Sequence, residues 1–494
     1  MDLILKNNSY HYELEKLCRL FYPEETIRVV EDGNLPQEQD AAALTVCAEM
    51  QQTKEGLLLT ARLRDGGEEQ VQTGLYQPGL YGDSGPERQL AELLYRLLVR
   101  HTGFTPRWGI LTGVRPVKLL HGFLDRWGKE KALQVYQQAY HVSEQKTRLA
   151  LLTLKNESSL LAKETPKGFS LYIGIPFCPS RCAYCSFVSM SVEKTMQLIP
   201  DYVTCLCREI KAAGRVAGEL GLVLQSVYMG GGTPTTLSVQ QMDSVLAAVQ
   251  NSFDLSACME FTVEAGRPDT VTPEKLQGLR RRGVTRISIN PQTMQEKVLQ
   301  AIGRHHTVGQ VLEAFSMARE AGFDDINMDL IAGLPLDTPE TFADTVNRVC
   351  ALGPESITVH TLALKRSSRI FQEGQQRASG ASAAEMLDYA GPKLLAGGWQ
   401  PYYLYRQTRI LGGLENVGFA KPGFESFYNT VIMDETQSIL ACGAGAGTKI
   451  CAPAGGRISR IYNFKYPYEY ISRHEEILER KEKVKQVYEE ITRA

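Results

Sequence analysis

Six short apolar segments recur between residues 171 and 364, and longer stretches with helical spacing of their apolar residues separate them. Strands that alternate with helices favour parallel βαβ units. Six such units in succession predict an α/β fold that contains a partial (β/α)6 barrel. The six segments are 171–177, 226–231, 260–265, 286–293, 326–335 and 356–364.

Three cysteines, Cys178, Cys182 and Cys185, follow the first segment in one short loop, CPSRCAYC. In such a barrel the chemistry sits at the carboxyl ends of the strands. Three thiolates on one loop can hold three corners of an iron–sulfur cubane and leave the fourth iron open. Structural zinc usually takes four ligands, and no fourth Cys or His lies close in the sequence. A three-thiolate zinc site and a group of buried thiols remain as alternatives.

Other chemistry-bearing residues also fall at the predicted strand ends. A glycine run, 230–232, and Thr233 follow the second segment, Glu264 ends the third, Gln292 follows the fourth, and Asp329 lies within the fifth. Glycines let a backbone approach a ligand closely. Carboxylates accept hydrogen bonds from hydroxyls or ammonium groups. Tight turns and helix caps are the structural alternatives for these residues.

Charge and composition exclude several classes of protein. The 494 residues carry a formal charge of −2, from 54 basic and 56 acidic side chains, which gives no electrostatic case for a nucleic-acid partner. No apolar run approaches the ~18 residues of a membrane span, and the N-terminus does not resemble a signal peptide. Eleven cysteines, an odd number, favour reduced thiols or metal ligands over a disulfide scaffold. We expect a cytoplasmic protein.

The chain length and the changes in periodicity predict three domains. Residues 1–165 are typical of an α+β accessory domain, and we find no catalytic constellation there. Residues 166–385 contain the barrel. Residues 386–494 are predicted to form a mostly helical C-terminal domain, and its Gly- and Tyr-rich part, 391–465, is a candidate lid over the barrel mouth.

The order of these motifs resembles that of the radical S-adenosylmethionine (SAM) enzymes. LYIGIPFC-x3-C-x-Y-C is followed by YMGGGTPT, Glu264, PQT and NMDLIAGLP. Over about residues 170–450 the set is most similar to the oxygen-independent coproporphyrinogen III oxidases, also called coproporphyrinogen dehydrogenases. The segments ENVGFAKPG and LTGVRP resemble the HemZ subgroup, whose extended N-terminal region would account for residues 1–165.

The resemblance implies cofactors and the residues that hold them. It implies a [4Fe–4S] cluster on Cys178, Cys182 and Cys185, with an open iron that chelates one SAM. The implied contacts of this first SAM are Tyr172, Tyr184, Gly231, Glu264 and Lys449. Family members can carry a second SAM, and its implied contacts are Gly232, Thr233, Gln292, Arg304, Asp329 and Ala363.

The resemblance also implies a reaction. In the resembled enzymes a reduced cluster cleaves SAM, and the 5′-deoxyadenosyl radical removes hydrogen from a propionate of coproporphyrinogen III. Loss of CO2 and one electron leaves a vinyl group, and two such reactions give protoporphyrinogen IX in haem biosynthesis. Flavodoxin or ferredoxin is the implied electron donor, and we expect residues 1–165 to dock it or to restrict access to the barrel. Candidate cations for the substrate propionates are Arg366, Arg406 and Arg409.

Two residues depart from the dehydrogenase pattern, and one segment departs from that of the haem-chaperone branch. Phe187 stands where the established dehydrogenases carry a further cysteine, and Gly174 stands where they carry a histidine. The CSF sequence that contains Phe187 is closer to the haem-chaperone branch, but ENVGFA at 415–420 replaces the HNxxYW motif of that branch. Three functions therefore stay open: a HemZ-type coproporphyrinogen dehydrogenase, a radical SAM enzyme for another tetrapyrrole or substrate, and a haem-binding or haem-delivery protein that retains the cluster.

Overall fold

The computed structural model divides the chain into two compact units, Met1–Leu151 with Arg406–Leu414, and Leu152–Tyr405 with Glu415–Ala494. The division into three domains stays a prediction. Across the described residues, no helix is both long and apolar enough to cross a membrane. The described residues are 1–31, 44–80, 85–186, 190–365, 367–374, 378–452 and 456–492.

The first unit contains a five-stranded sheet with the order β2-β1-β3-β4-β5, in which β1 is parallel to both neighbours and β3 to β5 are antiparallel. Apolar residues at helical spacing, such as Leu14 with Leu17 and Leu90 with Leu94, are buried in one core with residues of the sheet. The elements are β1 (Asp2–Lys6), α1 (His11–Phe21), β2 (Arg28–Val30), β3 (Thr45–Thr53), β4 (Gly56–Asp65), β5 (Glu68–Leu75), α2 (Pro86–Thr102), α3 (Pro116–Gln134) and the first part of α4 (Glu144–Leu161), which continues into the second unit from Leu152.

The second unit contains the predicted barrel strands, and the prediction of six parallel strands in sequence order is confirmed. β6, β9, β10, β11, β12 and β13 are neighbours in that order and pair in parallel. The strands of this region are β6 (Gly168–Ile175), β7 (Phe177–Cys178), β8 (Met190–Ser191), β9 (Val223–Gly231), β10 (Glu260–Glu264), β11 (Arg286–Ser288), β12 (Ile326–Ala332) and β13 (Ser356–Thr361).

Helices connect the barrel strands, and three of them begin with a reciprocal cap. Ser238, Thr307 and Thr338 each accept a hydrogen bond from the backbone three residues on, and the side chain at that position bonds back to the cap. These caps fix where each helix starts after its strand-end loop. The helices are α5 (Val192–Thr195), α6 (Ile199–Leu220), α7 (Val239–Ser252), α8 (Pro273–Arg281), α9 (Glu296–Ala301), α10 (Val308–Glu320), α11 (Pro339–Leu352), α12 (Arg369–Gln372) and α13 (Gly380–Ala396).

The C-terminal segment adds five strands to the same sheet, which the sequence prediction of a mostly helical domain omitted. β15 is antiparallel to β13, and β16 is parallel to β6, so the segment extends both edges. β15 and β16 are buried along their whole length, so they lack the alternating pattern that reveals a strand. The elements are β14 (Gln400–Tyr405), β15 (Asn416–Ala420), α14 (Phe427–Asp434), β16 (Ser438–Cys442), β17 (Gly447–Cys451), β18 (Ile458–Tyr462), α15 (Pro467–Ser472) and α16 (His474–Thr492).

Candidate functional site

The three clustered cysteines lie where the first barrel strand ends. Cys178 belongs to β7, and Cys182 and Cys185 lie in the turn that follows. The N–H of Cys185 donates to the carbonyl of Cys182 at 3.2 Å, and the N–H of Ala183 donates to the carbonyl of Ile302 at 2.8 Å. The segment 178–185, here called the cysteine loop, is therefore held by its own turn and by the loop after α9.

The glycine run after β9 supports the start of the cysteine loop. The N–H of Gly232 donates to the carbonyl of Ile175 at 2.7 Å, and the N–H of Thr233 donates to the carbonyl of Phe177 at 2.8 Å. The Thr233 hydroxyl donates to Cys178 Sγ at 3.5 Å. A Cβ on Gly232 would lie 2.7 Å from the carbonyl oxygens of Ile175 and Phe177, so only glycine fits there.

Glu264 lies at the carboxyl end of β10 beside aromatic rings. The Tyr228 hydroxyl donates to Glu264 Oε1 at 2.6 Å, and the N–H of Gly231 also donates to this carboxylate. Burial nevertheless raises the pKa of Glu264 to about 7. The Tyr228 ring lies parallel to those of Tyr172 and Tyr428, with centroid separations of 6.4 and 4.5 Å. The sequence analysis did not identify Tyr228 or Tyr428 as site residues.

Asp329 lies on β12 in a polar network. The sequence analysis identified Asp329 but not its partners in this network. The Asn327 amide donates to Asp329 Oδ1 at 2.7 Å, and the Asp329 N–H donates to Asn290 Oδ1 at 3.2 Å. His360 Nε2 lies 3.9 Å from Asp329 Oδ2. Burial acts to raise the pKa of Asp329, but the nearby His360 imidazole and the hydrogen bond from Asn327 hold it below its usual value. Relative to the ordinary value of each group, the pKa of Glu264 is therefore raised and the pKa of Asp329 is lowered.

Gln292 follows β11 with a backbone φ of 66°, which is uncommon for a residue other than glycine. Its N–H donates to the carbonyl of Asp329 at 2.9 Å, and its own carbonyl accepts from the N–H of Ile331 at 3.0 Å. Within the described part of the chain, Gln292 Oε1 is buried and has no hydrogen-bond partner. A buried acceptor of this kind fits a ligand that brings an N–H or O–H donor.

Arg304 connects the cysteine loop to two neighbouring strand ends. Its Nη1 donates to the carbonyls of Asn290 at 2.6 Å and Gly266 at 3.2 Å. The guanidinium is buried and also lies beside Cys182 and Tyr184. Tyr184 is half-buried in the cysteine loop. Arg304 thus positions the loop, and its role as a ligand of a second SAM stays a prediction.

Ala363 lies two residues after β13 and is half-buried, with its carbonyl accepting from the N–H of Lys365 at 3.1 Å. Lys449, in contrast, is not brought to the site, contrary to the sequence prediction. β17 is antiparallel to β16, and Lys449 pairs with Ile439 near the amino ends of the barrel strands. Its ammonium lies 3.5 Å from the carbonyl of Ile432, which precedes β16.

The remaining residues singled out in the sequence are Phe187 and the three candidate cations for the substrate propionates, Arg366, Arg406 and Arg409. Phe187 and Arg366 lie outside the described residues. Arg406 is buried in the first unit, and its guanidinium donates to the carbonyls of Leu111 and Gly413. Its prediction as a propionate partner is therefore wrong, because backbone carbonyls already occupy the guanidinium. Arg409 belongs to the same unit, and its role stays a prediction.

A cavity of about 400 Å³ adjoins the cysteine loop and the glycine run. We call it the mouth cavity. Three of its lining residues are implied SAM contacts, and a fourth, Ser186, directly follows Cys185. The lining residues are Tyr172, Gly174, Ile175, Pro176, Ser186, Gly231, Gly232, Ala444, Gly445, Ala446, Tyr462, Asn463 and Lys465.

A buried carboxylate, Glu209 on α6, fixes the wall of this cavity formed by the glycine-rich loop after β16. Glu209 Oε1 accepts from Lys481 Nζ at 2.8 Å and from Asn463 Nδ2 at 2.7 Å. Glu209 Oε2 accepts from the N–H of Gly443 at 2.7 Å and from the Tyr470 hydroxyl at 2.5 Å. No local sequence pattern predicts this network, because its members come from distant parts of the chain.

The thiols fit an iron–sulfur cluster. The eleven cysteines, all within the described residues, are thiols. No three His, Cys, Asp or Glu side chains of the described residues converge as they would around a single metal ion. In a cluster each thiolate binds a different iron, so such convergence is not required. The Thr233 hydroxyl donates to Cys178 Sγ, and the Arg304 guanidinium lies beside Cys182, so a donor and a cation adjoin the thiols that would bind the cluster.

Comparison with known proteins identifies the family of this chain. Residues 172–349 match the family model of the Radical SAM superfamily. The whole chain is similar to the oxygen-independent coproporphyrinogen-III oxidase-like protein HemZ of Bacillus subtilis, with 35% identity over 99% of this chain and 98% of that protein. The chain therefore belongs to the radical SAM superfamily and, within it, to the HemZ family of oxygen-independent coproporphyrinogen-III oxidase-like proteins. The resemblance noted in the sequence is confirmed.

Two further proteins are similar to this chain, one in sequence and one in structure. The heme chaperone HemW of Lactococcus lactis subsp. lactis is 31% identical over 64% of this chain and 79% of that protein. The crystal structure of coproporphyrinogen III oxidase (HemN) from Escherichia coli, a radical SAM enzyme, has a TM-score of 0.51 and 23% identity, covering 66% of this chain and 72% of that chain. The structural likeness shows the fold, and the expected radical SAM barrel is confirmed.

Proposed function

We propose that this protein is a coproporphyrinogen dehydrogenase that converts propionates of coproporphyrinogen III, or of a closely related tetrapyrrole, into vinyl groups. One observation supports the proposal most strongly. The cysteine loop, Glu264, Gln292 and Asp329 all lie at or near the carboxyl ends of the six parallel strands. Chemistry in α/β barrels is placed at that end.

The described residues supply specific functions in this proposal. The cluster and SAM, when bound, provide a carbon radical that removes hydrogen from the substrate. Gly231 and Gly232 allow close approach of the backbone to SAM. Gln292 Oε1, which has no partner among the described residues, would accept a hydrogen bond from SAM, and Asp329, with its lowered pKa, would accept another as a carboxylate. Tyr172 packs against the bound SAM.

The number of SAM molecules, the electron donor and the location are further parts of the proposal. Tyr172, Tyr184, Gly231 and Glu264 are assigned to the first SAM. A second SAM is assigned to Gly232, Thr233, Gln292, Arg304, Asp329 and Ala363. A flavodoxin or ferredoxin in the cytoplasm delivers the electron, because cluster chemistry of this kind needs a low-potential reductant.

An anaerobic turnover assay tests the proposal. The protein is reconstituted with iron and sulfide, supplied with SAM and a reductant, and assayed for 5′-deoxyadenosine with and without coproporphyrinogen III. We expect deoxyadenosine that rises with substrate, and products lighter by CO2 plus two hydrogen atoms for each of one and then two propionates converted. Deoxyadenosine formed equally without substrate, with no vinyl product, would overturn the proposal.

A second candidate function is haem binding or delivery, and the similarity to the heme chaperone HemW favours it. It predicts stoichiometric haem binding with a shifted Soret band and no substrate-dependent deoxyadenosine. The segment 415–420 contains no histidine, and its core is β15. There Asn416 Oδ1 accepts from the N–H of Thr361 at 2.9 Å, and the Thr361 hydroxyl donates to the carbonyl of Glu415 at 2.8 Å. This segment is part of the buried core, so a haem ligand would have to come from another part of the chain.

A further inference from the structure

Gly174 on β6 lines the mouth cavity, although the backbone there does not demand glycine. Its φ is not among the positive values, and an added Cβ would meet Tyr172, Cys442 and Ala444 at ordinary contact distances of 3.4 to 3.6 Å. Gly230, its partner on β9, differs, because a Cβ there would lie 2.8 Å from the carboxyl carbon of Glu264. Gly174 therefore contributes space to the cavity and no special backbone conformation.

The chemistry of the mouth cavity is that of a carboxylate site. Lys465 is the single charged residue among the described residues that line it, and it is exposed. Hydroxyls of Ser186, Tyr172 and Tyr462 are the neutral side-chain donors of its lining, whereas the amide nitrogen of Asn463 already donates to Glu209 and to the carbonyl of Gly443. An ammonium group with neighbouring neutral donors, and with no acid in the described lining, attracts a carboxylate.

The wall that faces Gly174 is preorganised. The N–H of Ala444 donates to the Tyr202 hydroxyl at 2.9 Å, and that hydroxyl donates to the carbonyl of Gly174 at 2.7 Å. The N–H of Gly445 donates to the carbonyl of Phe464 at 2.7 Å, directly before Lys465. Because Tyr202 is fully buried, the cavity keeps its shape before a ligand enters.

We propose that the mouth cavity binds one carboxylate arm of the substrate beside the SAM assigned to Tyr172 and Gly231, with Lys465 as the cation and Gly174 as the source of space. The inference rests on the proposed function, since it names the part of the site that recognises the acid side chain of the substrate. Small-molecule pockets commonly measure about 300–1,000 Å³, so about 400 Å³ holds an arm and leaves the macrocycle outside. The methionine carboxylate of SAM is the other source of this chemistry.

A binding experiment that needs no turnover tests the inference. Coproporphyrin III and its tetramethyl ester are titrated against the reconstituted protein, and SAM is titrated separately. We expect the wild type to bind the acid about tenfold more tightly than the ester, as for one charge-assisted hydrogen bond. Lys465→Met removes this preference, Lys465→Arg restores most of it, and none of the variants changes the Kd of SAM. Lys483→Met, at an exposed lysine of α16, is the matched control.

A second series of variants tests whether Gly174 provides space for the carboxylate arm. Gly174→Ala places a Cβ that fits, whereas Gly174→Leu fills the cavity, so affinity for coproporphyrin III falls in the order wild type, Ala, Leu. Equal affinity of the wild type for acid and ester, or an unchanged preference in Lys465→Met, would overturn the inference. A raised Kd for SAM in Lys465→Met, without loss of the acid preference, would assign the carboxylate to SAM and overturn it as well. If Lys465-dependent binding is found but no vinyl product forms, the proposed reaction fails and the binding site stands.

Discussion

The Tyr228 hydroxyl donates a hydrogen bond of 2.6 Å to Glu264 and joins two neighbouring barrel strands inside the site. Burial of this carboxyl outweighs the hydrogen bonds from Tyr228 and from the Gly231 N–H, so its pKa is raised to about 7. Glu264 therefore changes its charge near neutral pH, unlike Asp329, whose pKa is lowered. We therefore expect the two carboxyls to have separate tasks in ligand binding.

Binding of SAM should strengthen as the pH rises from 6 to 8. With a pKa of about 7, Glu264 is about one-tenth ionised at pH 6 and about nine-tenths ionised at pH 8. The ionised form is the better acceptor for SAM. Titration calorimetry with the reconstituted protein checks this, and Glu264→Gln should remove the dependence. A wild-type affinity that is flat or falls over this range would contradict the prediction.

The same shift has a consequence for stability in the protein without ligand. The pKa of Glu264 is raised from 4.5 to about 7 on folding, so the folded state holds its proton more tightly than the unfolded state. Its contribution to the free energy of unfolding is full below pH 4.5 and is lost as the pH rises through about 7. Glu264→Gln should therefore gain stability relative to the wild type between pH 5 and 8, as measured by urea unfolding. A constant difference across that range would contradict the shift.

Gly232→Ala should reduce cluster content and SAM binding. Its Cβ would lie 2.7 Å from two backbone carbonyls that hold the start of the cysteine loop, so the loop must move. Gly278→Ala is the matched control, because its Cβ meets nothing closer than 3.9 Å. In the interior of α8 this control should add about 0.5–1 kcal/mol to the free energy of unfolding. Equal iron content in both variants would refute the prediction.

Lys481→Met should destabilise the protein strongly. Lys481 and Glu209 are both buried, so the substitution leaves a buried carboxylate without its cation, and losses of about 3–5 kcal/mol are typical of such changes. The double variant Glu209→Gln with Lys481→Met should recover much of the loss. Lys485→Met, at an exposed ion pair with Glu219, should produce no comparable change in denaturant unfolding. An equal loss of stability in Lys481→Met and Lys485→Met would show that the buried ion pair contributes no more to the free energy of unfolding than the exposed one.

The barrel strands and the cysteine loop were accessible from the sequence, because their signals are local. The six apolar segments are buried on both faces and so stand out as continuous runs. Cys178, Cys182 and Cys185 lie within eight residues, and Glu264 and Asp329 lie on or beside such runs. Local spacing therefore placed these residues at one end of the sheet.

The rest of the site depends on pairings that no local pattern reveals. Lys449 was assigned to the site, yet the antiparallel pairing of β17 directs it to the opposite end. Glu209 and Lys481 meet only in the folded chain. The left-handed backbone of Gln292 is imposed by its bridge to β12, since glutamine has no preference for it.

We expect the cysteine loop to hold a cluster that activates SAM. The most direct measurement compares wild type, Cys182→Ala and the control Cys207→Ala after anaerobic reconstitution, by iron and sulfide content, absorbance and deoxyadenosine formed with a reductant. We expect about four irons per chain, absorbance near ~400 nm and SAM cleavage in the wild type and control, and loss of all three in Cys182→Ala. Full iron content and SAM cleavage in Cys182→Ala would contradict the account.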